Sequence, residues 1–327
     1  MLPWTLWPTK FEKAFSTIAG RPKVDLIARP PKHPKLEQKD ESLKRTAMDD
    51  ILTLTHQDLK GRRAGTAEET KAADYLSRQL SMLGLKPLGD NGGSFAQVFT
   101  IPPVIENVIN GRLTFSLGDI AELRTPCTNI IGGLMGELEN EAVILSAHYD
   151  HLGVYKGEIY PGANDNASGV GCVLDVTRRL VREGKIPKRS IIIAFWSAEE
   201  MGFVGSGAFI KEPTFPLDRV KAVINVDTVG NGMIGNFVTW SEGENIALQA
   251  IREGAKASGA SALPGSNQGH NSDHLSFFRK GIPSVTLIAR DWLTLNHTSQ
   301  DNLSLVKGEQ VKAAAEVVYE AVRRLAF

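Results

Sequence analysis

Cysteine is scarce in this sequence, and only Cys127 and Cys172 are present among its 327 residues. Two such distant cysteines form neither a disulfide framework nor a cysteine-based zinc site. We expect two buried thiols, while a single long-range disulfide stays open if the protein is exported. Long hydrophobic runs are also missing, since the longest, such as residues 190–196, fall far short of the ~18 residues that span a bilayer. The sequence therefore predicts no membrane span.

An excess of charge of either sign is lacking as well. The chain has 37 basic and 37 acidic residues, for a formal net charge of +0. Nucleic acids and anionic membranes attract proteins with a basic surplus, so neither is an expected partner. The apolar start, residues 1–7, is interrupted by Pro8 and Lys10 and does not fit a signal peptide. Either the protein is cytoplasmic or its native precursor begins elsewhere.

The first part of the chain has little periodicity. Residues 1–45 are interrupted by prolines and predict an extension that lies on the surface. A helix is predicted from about residue 41 to residue 59. Thr66 and Glu69 then form a capping-box pattern, which predicts the start of a second helix that Gly84 closes.

From residue 141 onward, short apolar segments alternate with segments of helical periodicity. Strands are predicted at residues 142–147, 190–196, 221–226 and 283–288, and helices at residues 168–183, 202–211, 244–258 and 309–325. Buried, β-branched strands that alternate with helices indicate an α/β fold, in which a mixed, mostly parallel sheet is sandwiched between helices. No internal repeat and no second run of strands is visible, so residues 46–327 are predicted to form one domain.

Side chains that can bind a metal follow the predicted strands. His148 and Asp150 follow the first strand, Glu199 and Glu200 follow the second, and Asp227 ends the third. In open α/β sheets, ligands collect beyond the carboxyl ends of the strands. We therefore expect these side chains to meet at one edge of the sheet.

Two further candidates lie in loops. Asp165 lies in the glycine-bounded turn of residues 162–169, and His297 follows the last predicted strand. A lone carboxylate at such a place is usually a helix cap, and a lone histidine is usually an ordinary polar residue. Together with His148, Glu200 and Asp227, however, they make two imidazoles and three carboxylates. This set suits zinc, with cobalt or manganese as substitutes.

Six short motifs stand in the order found in a known enzyme family. They are His148-Tyr-Asp150, Gly162-Ala-Asn-Asp-Asn166, Ser197-Ala-Glu-Glu-Met-Gly202, Asn225-Val-Asp227, Ser272-Asp-His274 and Asn296-His-Thr298. The chain thereby resembles the co-catalytic zinc aminopeptidases, which are similar to bacterial leucyl aminopeptidase and related to glutamate carboxypeptidases and glutaminyl cyclases. The resemblance covers roughly residues 46–327 and implies the zinc-exopeptidase (phosphorylase/hydrolase-like) fold.

The resemblance implies a site for two zinc ions per chain. Asp165 would bridge the two ions. His148 and Asp227 would complete one site, and Glu200 and His297 would complete the other. Two metals about 3.5–4 Å apart can lower the pKa of a water, polarise a scissile carbonyl and stabilise the oxyanion. The resemblance further implies that one metal anchors a free α-amine, so the expected reaction is removal of N-terminal residues from peptides.

Other residues receive supporting roles from the same resemblance. Glu199 would be the general acid/base, and Asp150 would orient the metal-binding histidine two residues before it. No metal role is implied for His151 or His274, which we interpret as structural or pocket-lining residues. The family often has a tyrosine shortly before Ser-Asp-His. His270 stands there instead, either as an oxyanion donor or as a plain loop residue.

Alternatives on the same scaffold stay open. A glutaminyl-peptide cyclotransferase typically works with one zinc, whereas the intact Asp227 and the pair Glu199–Glu200 favour hydrolysis. A metal-free binding relative would have lost ligands, and this chain retains all five. A glutamate carboxypeptidase-type relative needs a basic pocket for a terminal carboxylate. The candidate arginines for such a pocket are Arg62, Arg63, Arg124 and Arg290.

The domain is predicted to be the minimal catalytic form. The stretch of residues 107–128 is too short to hold the protease-associated domain that many relatives insert before the first metal ligand. Secretion or a periplasmic location would agree with the resemblance. Side-chain specificity and oligomeric state stay open.

Overall fold

The computed structural model describes residues 36–119, 122 and 124–327, so most of the predicted N-terminal extension lies outside the described residues. The last part of that extension forms helix α1 (Leu36–Lys44). The other helices are α2 (Ala47–Leu54), α3 (Ala67–Met82), α4 (Gly169–Glu183), α5 (Val204–Lys211), α6 (Ile246–Ser258), α7 (His274–Phe278) and α8 (Gly308–Ala326). Short 3₁₀ turns lie at Gln57–Leu59, Asp90–Gly92, Leu217–Arg219 and Leu303–Leu305.

The prediction of a single helix over residues 41–59 is wrong, because α1 ends and α2 begins within this range. Thr46 is the N-cap of α2, and its hydroxyl accepts a hydrogen bond from the Asp49 backbone N–H. The Asp49 carboxylate accepts a hydrogen bond from the Thr46 N–H in return, at 2.8 Å. This reciprocal capping box satisfies two N–H groups at the start of α2, so it begins a new helix there.

Thirteen strands lie in the described part of the chain. They are β1 (Lys86–Pro87), β2 (Ala96–Ile101), β3 (Val104–Ile109), β4 (Arg112–Leu117), β5 (Thr125–Leu134), β6 (Leu138–His148), β7 (Gly153–Tyr155), β8 (Glu158–Tyr160), β9 (Arg189–Trp196), β10 (Val220–Asp227), β11 (Asn236–Trp240), β12 (Ser261–Pro264) and β13 (Ser284–Ala289). Nine of them form one sheet, while β3–β4 and β7–β8 are separate hairpins.

The centre of the large sheet is parallel. Its four middle strands lie in the order β9-β6-β10-β13, and each neighbouring pair is parallel. Antiparallel strands border them, with β5 next to β9 and β11 next to β13. The predicted mixed, mostly parallel sheet is thus confirmed. The bordering strands β5 and β11 were not predicted.

Helices cover both faces of the sheet, as predicted. Along β6, Val143 and Leu145 belong to the larger core, which also contains buried residues of α3, α4, α6 and α8. The intervening Ile144 faces the opposite core together with Trp196 and Phe209, the latter from α5. This alternation follows from the two-residue period of a strand whose two faces are both buried.

The start of α3 departs from its predicted capping box. The Thr66 hydroxyl accepts a hydrogen bond from the Glu69 N–H at 3.2 Å, as the pattern predicts. The Glu69 carboxylate does not return to Thr66. It accepts hydrogen bonds from the Gly65 N–H at 2.6 Å and the Thr128 N–H at 3.2 Å instead. Burial raises the pKa of Glu69 to about 7, because the charged form is poorly solvated there.

We expect this buried carboxyl to make stability depend on pH. The pKa of Glu69 rises from 4.5 to about 7 on folding. The folded state therefore binds an additional proton between these values, and its stability falls as pH rises through them. The variant Glu68→Gln retains Glu69 and serves as the control. From pH 5 to pH 7.5, its free energy of unfolding should fall by on the order of 3 kcal/mol more than that of Glu69→Gln, which lacks the buried carboxyl. Urea unfolding of both variants measures this, and equal pH dependence would contradict it.

Both cysteines are buried free thiols, as expected. Among the described residues, no helix has the length and apolar character needed to cross a membrane.

Candidate active site

Three of the predicted metal ligands come to one edge of the sheet through strand register. β6 and β9 are parallel, and His148 at the end of β6 lies opposite Trp196 at the end of β9. The turn that carries Glu199 and Glu200 begins directly after Trp196. β10 lies on the other side of β6 and ends at Asp227. The carboxyl ends of the parallel strands therefore bring these side chains together, as the sequence predicted.

Asp165 reaches the same edge from an irregular turn. Residues Ala163–Ser168 form one π-helical turn before α4, and the peptide bond between Asp165 and Asn166 is cis. Gly162, which precedes the turn, has φ +58, and a Cβ there would lie 2.3 Å from the Asp165 carbonyl oxygen. The glycine is therefore required by both conformation and space.

A carboxylate from the C-terminal part of the chain holds this turn in place. Asp301 accepts hydrogen bonds from the backbone N–H groups of Asn164 at 2.7 Å and Asp165 at 2.9 Å. Burial raises the pKa of Asp301 to about 6. The sequence analysis missed Asp301, because neither a strand end nor a local pattern connects it to a turn 136 residues earlier.

The Asp165 carboxylate faces two different histidines with its two oxygens. Its Oδ1 lies 3.3 Å from His148 Nε2, and its Oδ2 lies 3.3 Å from His297 Nε2. His148 Nε2 is also 3.4 Å from Asp227 Oδ1, and His297 Nε2 is 3.0 Å from Glu200 Oε2. Donor atoms of a tetrahedral zinc site, at ~2.0–2.1 Å from the metal, are about 3.3 Å apart. The observed spacings therefore fit zinc on either side of Asp165.

The electrostatics of the centre also fit a cation. Burial alone would lower the pKa of both histidines. The surrounding carboxylates instead raise the pKa of His148 well above its usual value, and that of His297 to about 10. So much negative charge in a buried cluster favours any positive charge that enters it, whether a proton or a metal ion.

The neighbouring acids Glu199 and Glu200 have opposite surroundings. Burial raises the pKa of Glu199 well above its usual value, and the carboxylates of Asp273 and Asp227 add to the shift. Burial alone would raise the pKa of Glu200, but His297 and His151 together outweigh it and lower this pKa to about 2. Two adjacent carboxyls with divergent pKa values have the pattern of one proton carrier and one permanent anion.

Asp150 contacts its predicted partner His148, though less directly than predicted. The Nδ1 of His148 lies 3.2 Å from the backbone carbonyl oxygen of Asp150 and 3.7 Å from its carboxylate. The carboxylate accepts a hydrogen bond from the Glu199 N–H at 3.1 Å. The backbone of Asp150 therefore makes the shorter contact to the histidine, while its side chain fixes the turn that carries Glu199.

The two histidines without an expected metal role differ from each other. His274 is buried, and its Nδ1 lies 2.8 Å from the Thr286 hydroxyl, away from the donor cluster. His151 is also buried, but its Nδ1 lies 2.7 Å from Glu200 Oε1. That oxygen is the one not facing His297, so His151 helps to orient Glu200. Since a histidine directly after Asp150 has no distinctive spacing, the sequence did not predict this contact.

The hairpin β3–β4 supplies contacts that the sequence analysis missed. The Leu113 carbonyl accepts a hydrogen bond from His297 Nδ1 at 2.9 Å, and its N–H donates to the His297 carbonyl at 3.1 Å. Arg112 donates to both the backbone and the side-chain oxygen of Asn296. Asn296 in turn donates to Asp165 Oδ2. The hairpin therefore supports two of the five predicted ligands.

His270 lies beside the same arginine. Its Nε2 is 3.4 Å from Arg112 Nη1, and its ring meets that of Trp292 edge to face, with centroids 5.1 Å apart. Burial lowers the pKa of His270, and the positive charge of Arg112 lowers it further. His270 is therefore held neutral by its surroundings.

Comparison with known proteins gives the family. A model described as Peptidase family M28 matches residues 129–322. The chain belongs to peptidase family M28. This confirms the family to which the six motifs pointed.

Similar members of the family come from bacteria. Aminopeptidase YwaD of Bacillus subtilis is 30% identical over 198 residues, which are 56% of this chain and 42% of that protein. An aminopeptidase of Pseudomonas aeruginosa is 28% identical over 174 residues, which are 50% of this chain and 31% of that protein. The matches thus span less than half the length of these curated relatives.

Solved structures with the same fold extend over nearly the whole chain. The zinc aminopeptidase BSAP from Bacillus subtilis has a TM-score of 0.68 at 18% identity, covering 91% of this chain and 97% of that one. Porphyromonas gingivalis glutaminyl cyclase has a TM-score of 0.63 at 20% identity, covering 86% and 97%. At such identities the likeness shows the fold alone, and it confirms the predicted zinc-exopeptidase architecture.

Proposed function

We propose that this chain is a zinc-dependent aminopeptidase, which removes N-terminal residues from peptides that have a free α-amine. The proposal depends above all on one observation. The two oxygens of the Asp165 carboxylate contact different histidines, with Oδ1 lying 3.3 Å from His148 Nε2 and Oδ2 lying 3.3 Å from His297 Nε2. The names of the relatives also support it. The two curated bacterial relatives described above are named aminopeptidases, and a solved structure with the same fold is a zinc aminopeptidase.

The five donors are proposed to hold two zinc ions. His148, Asp227 and one oxygen of Asp165 form the first set, and Glu200, His297 and the other Asp165 oxygen form the second. With only three protein ligands each, both sets leave a coordination position open, which is typical of catalytic rather than structural zinc. Bound there, zinc lowers the pKa of a water and polarises the scissile carbonyl.

Glu199 is proposed to carry the proton between the attacking water and the leaving amine. A donor atom of Glu199 lies within 4.8 Å of those of His148 and Asp227, next to the first set. Burial raises the pKa of Glu199, which is the direction expected of a carboxyl that must both accept and release a proton. The hydrogen bond from its N–H to Asp150 holds the turn while the proton moves.

His270 is proposed to stabilise the oxyanion. A neutral His270 accepts a hydrogen bond from Arg112 at Nε2, so its proton sits on Nδ1. Nδ1–H is then the donor available to the developing charge on the substrate oxygen.

The placement of the arginines disfavours the carboxypeptidase alternative. Arg62 is fully buried and donates to four backbone carbonyls, those of Leu54, Tyr149, Pro161 and Gly162. Arg63 pairs with Glu106, and Arg124 donates to Thr100. These three candidates therefore already have partners, which leaves them poorly suited to bind a terminal carboxylate.

A substrate panel tests the proposal. Amino-acid arylamides and unblocked peptides should be cleaved from the N-terminus, and acetylating the α-amine of the best substrate should abolish its cleavage. A chelator should stop the reaction and added zinc should restore it. Mass spectrometry of the products identifies the bond that is cut.

Two results would redirect the assignment. Loss of C-terminal residues from blocked peptides would establish the carboxypeptidase alternative. Release of ammonia from N-terminal glutamine peptides, without cleavage of a peptide bond, would establish the cyclase, whose fold this chain shares.

A further inference from the structure

Glu69 lies in the interior of the protein, where the residue is only 2% exposed. Four groups hydrogen-bond to it: the N–H groups of Gly65 and Thr128, the Ser197 hydroxyl, and the Tyr149 hydroxyl at 3.0 Å, which shares its single proton with the Thr128 carbonyl at 2.6 Å. We call these five residues the Glu69 hub. The four donors belong to four separate segments, so the carboxylate joins parts of the chain that are otherwise distant in sequence.

Two of these donors are next to proposed active-site residues. Tyr149 stands between His148 and Asp150, so its side chain extends from the segment that carries His148. Ser197 begins the turn that carries Glu199 and Glu200. Glu69 accepts a hydrogen bond from each of the two segments through a single oxygen, Oε1.

Two further hydrogen bonds join the same two segments. The Tyr149 N–H donates to the Trp196 carbonyl at 2.9 Å, and the Glu199 N–H donates to the Asp150 carboxylate at 3.1 Å. Together with the contacts to Glu69, these hydrogen bonds connect the two segments at three points. Three such points fix both the distance between the segments and their mutual rotation.

A carboxylate is an expensive choice for a purely structural role at this position. Burying a charge costs free energy that four donors must offset. Glu69 also forgoes the ordinary capping-box bond to Thr66. Departures from local rules of this kind are expected near functional sites, where position matters more than stability.

We propose that Glu69 is a positioning residue for the proposed zinc peptidase reaction, holding the segment of His148 and the turn of Glu199 and Glu200 at the separation that zinc binding and proton transfer require. The inference rests on the proposed function, and it concerns the folded protein rather than its stability.

The main test compares Glu69→Gln with Glu68→Gln. Glutamine has the size of glutamate but replaces one acceptor oxygen with an NH₂ group that faces the hydrogen-bond donors. Glu68 lies on the same turn of α3, makes only a peripheral pair with Lys60 at 3.4 Å, and serves as the matched control. Zinc affinity is measured by competition with a chromophoric chelator, well below the melting temperature. Loss of a residue that orients metal ligands typically costs about 10–100-fold in affinity or activity.

We expect Glu69→Gln to weaken zinc binding and to lower kcat by such a factor, with KM little changed, while Glu68→Gln behaves like the wild type. Single-donor variants divide the effect. Tyr149→Phe should mainly weaken zinc binding, because Tyr149 adjoins His148, and Ser197→Ala should mainly lower kcat, because it adjoins the turn of Glu199. Combining either with Glu69→Gln should add little, since the shared bond is already lost.

A purely structural role would have a different signature. Glu69→Gln would then melt at lower temperature, yet its zinc affinity and kcat would stay within about twofold of the control, and this result would overturn the proposal. If Glu69→Gln does not fold, the same twofold limit applies to the two single-donor variants. The affinity measurement does not depend on peptide cleavage, so a wild-type protein that binds zinc without cutting peptides would refute the proposed function and still test the hub.

Discussion

Replacing Glu199 with glutamine should lower kcat by about 10²–10⁴-fold while the protein keeps its full zinc content. Glutamine has the same shape but cannot accept the proton of the attacking water. The hydrogen bond to Asp150 comes from the backbone N–H of residue 199, so it survives the substitution. Turnover of the best arylamide at saturation and metal analysis of the same sample measure the two quantities.

The neighbouring variant Glu200→Gln is the matched comparison. Glu200 Oε2 lies 3.0 Å from His297 Nε2, and its other oxygen contacts His151. This variant should lose or weaken one zinc ion as well as activity, because an amide is a poor metal ligand at a site that carboxylates hold. The assignment of the two roles fails if Glu199→Gln sheds metal or retains near-normal turnover.

Asp165→Asn should damage both zinc sets at once, whereas Asp227→Asn should weaken mainly the first. Asp165 has an oxygen 3.3 Å from the Nε2 of each histidine, so its replacement removes a negative charge shared by the two sets. Asp227 Oδ1 approaches His148 alone among the histidines. The wild type should hold about two zinc ions per chain, Asp227→Asn about one, and Asp165→Asn close to none.

Metal analysis after saturation with zinc and removal of the free metal by dialysis decides this. Circular dichroism of each variant shows whether the fold is retained. A wild-type protein that never exceeds one zinc per chain would contradict the two-metal proposal and favour the cyclase reading. Equal loss in the two aspartate variants would show that Asp165 is not shared.

The centre of the fold could be predicted from the sequence, and its margins could not. β6, β9, β10 and β13 are buried on both faces, so each appears as a nearly continuous apolar run. β5 contains Pro126 and two consecutive glycines, which obscure a strand pattern. The hairpin β3–β4 is largely exposed, so burial leaves little signature in its residues.

The division between α1 and α2 was missed for a different reason. Its signal is local, since Thr46 followed by Asp49 makes a capping box within four residues. Helical periodicity continues across the break and hides the boundary. A cap in the middle of a periodic segment therefore deserves more weight than the periodicity around it.

The candidate ligands could be located because parallel strands end at one edge, and the motifs supplied the loop residues. The contacts that orient those ligands come from distant parts of the chain. Arg112 lies 184 residues from Asn296, and Asp301 lies 136 residues from Asp165. No periodicity or spacing connects such pairs, so only the folded chain reveals them.

The contact between Leu113 and His297 has a consequence for how members of the family can diverge. Both hydrogen bonds use the backbone atoms of Leu113, so they do not depend on the leucine side chain itself, and another apolar residue that fits this buried position could orient the histidine as well. The hairpin also lies outside the matched residues 129–322. Its exposed side chains, such as those of Ile105 and Ile109, can change without breaking these two hydrogen bonds. The sequence of the hairpin can therefore vary while His297 keeps its orientation.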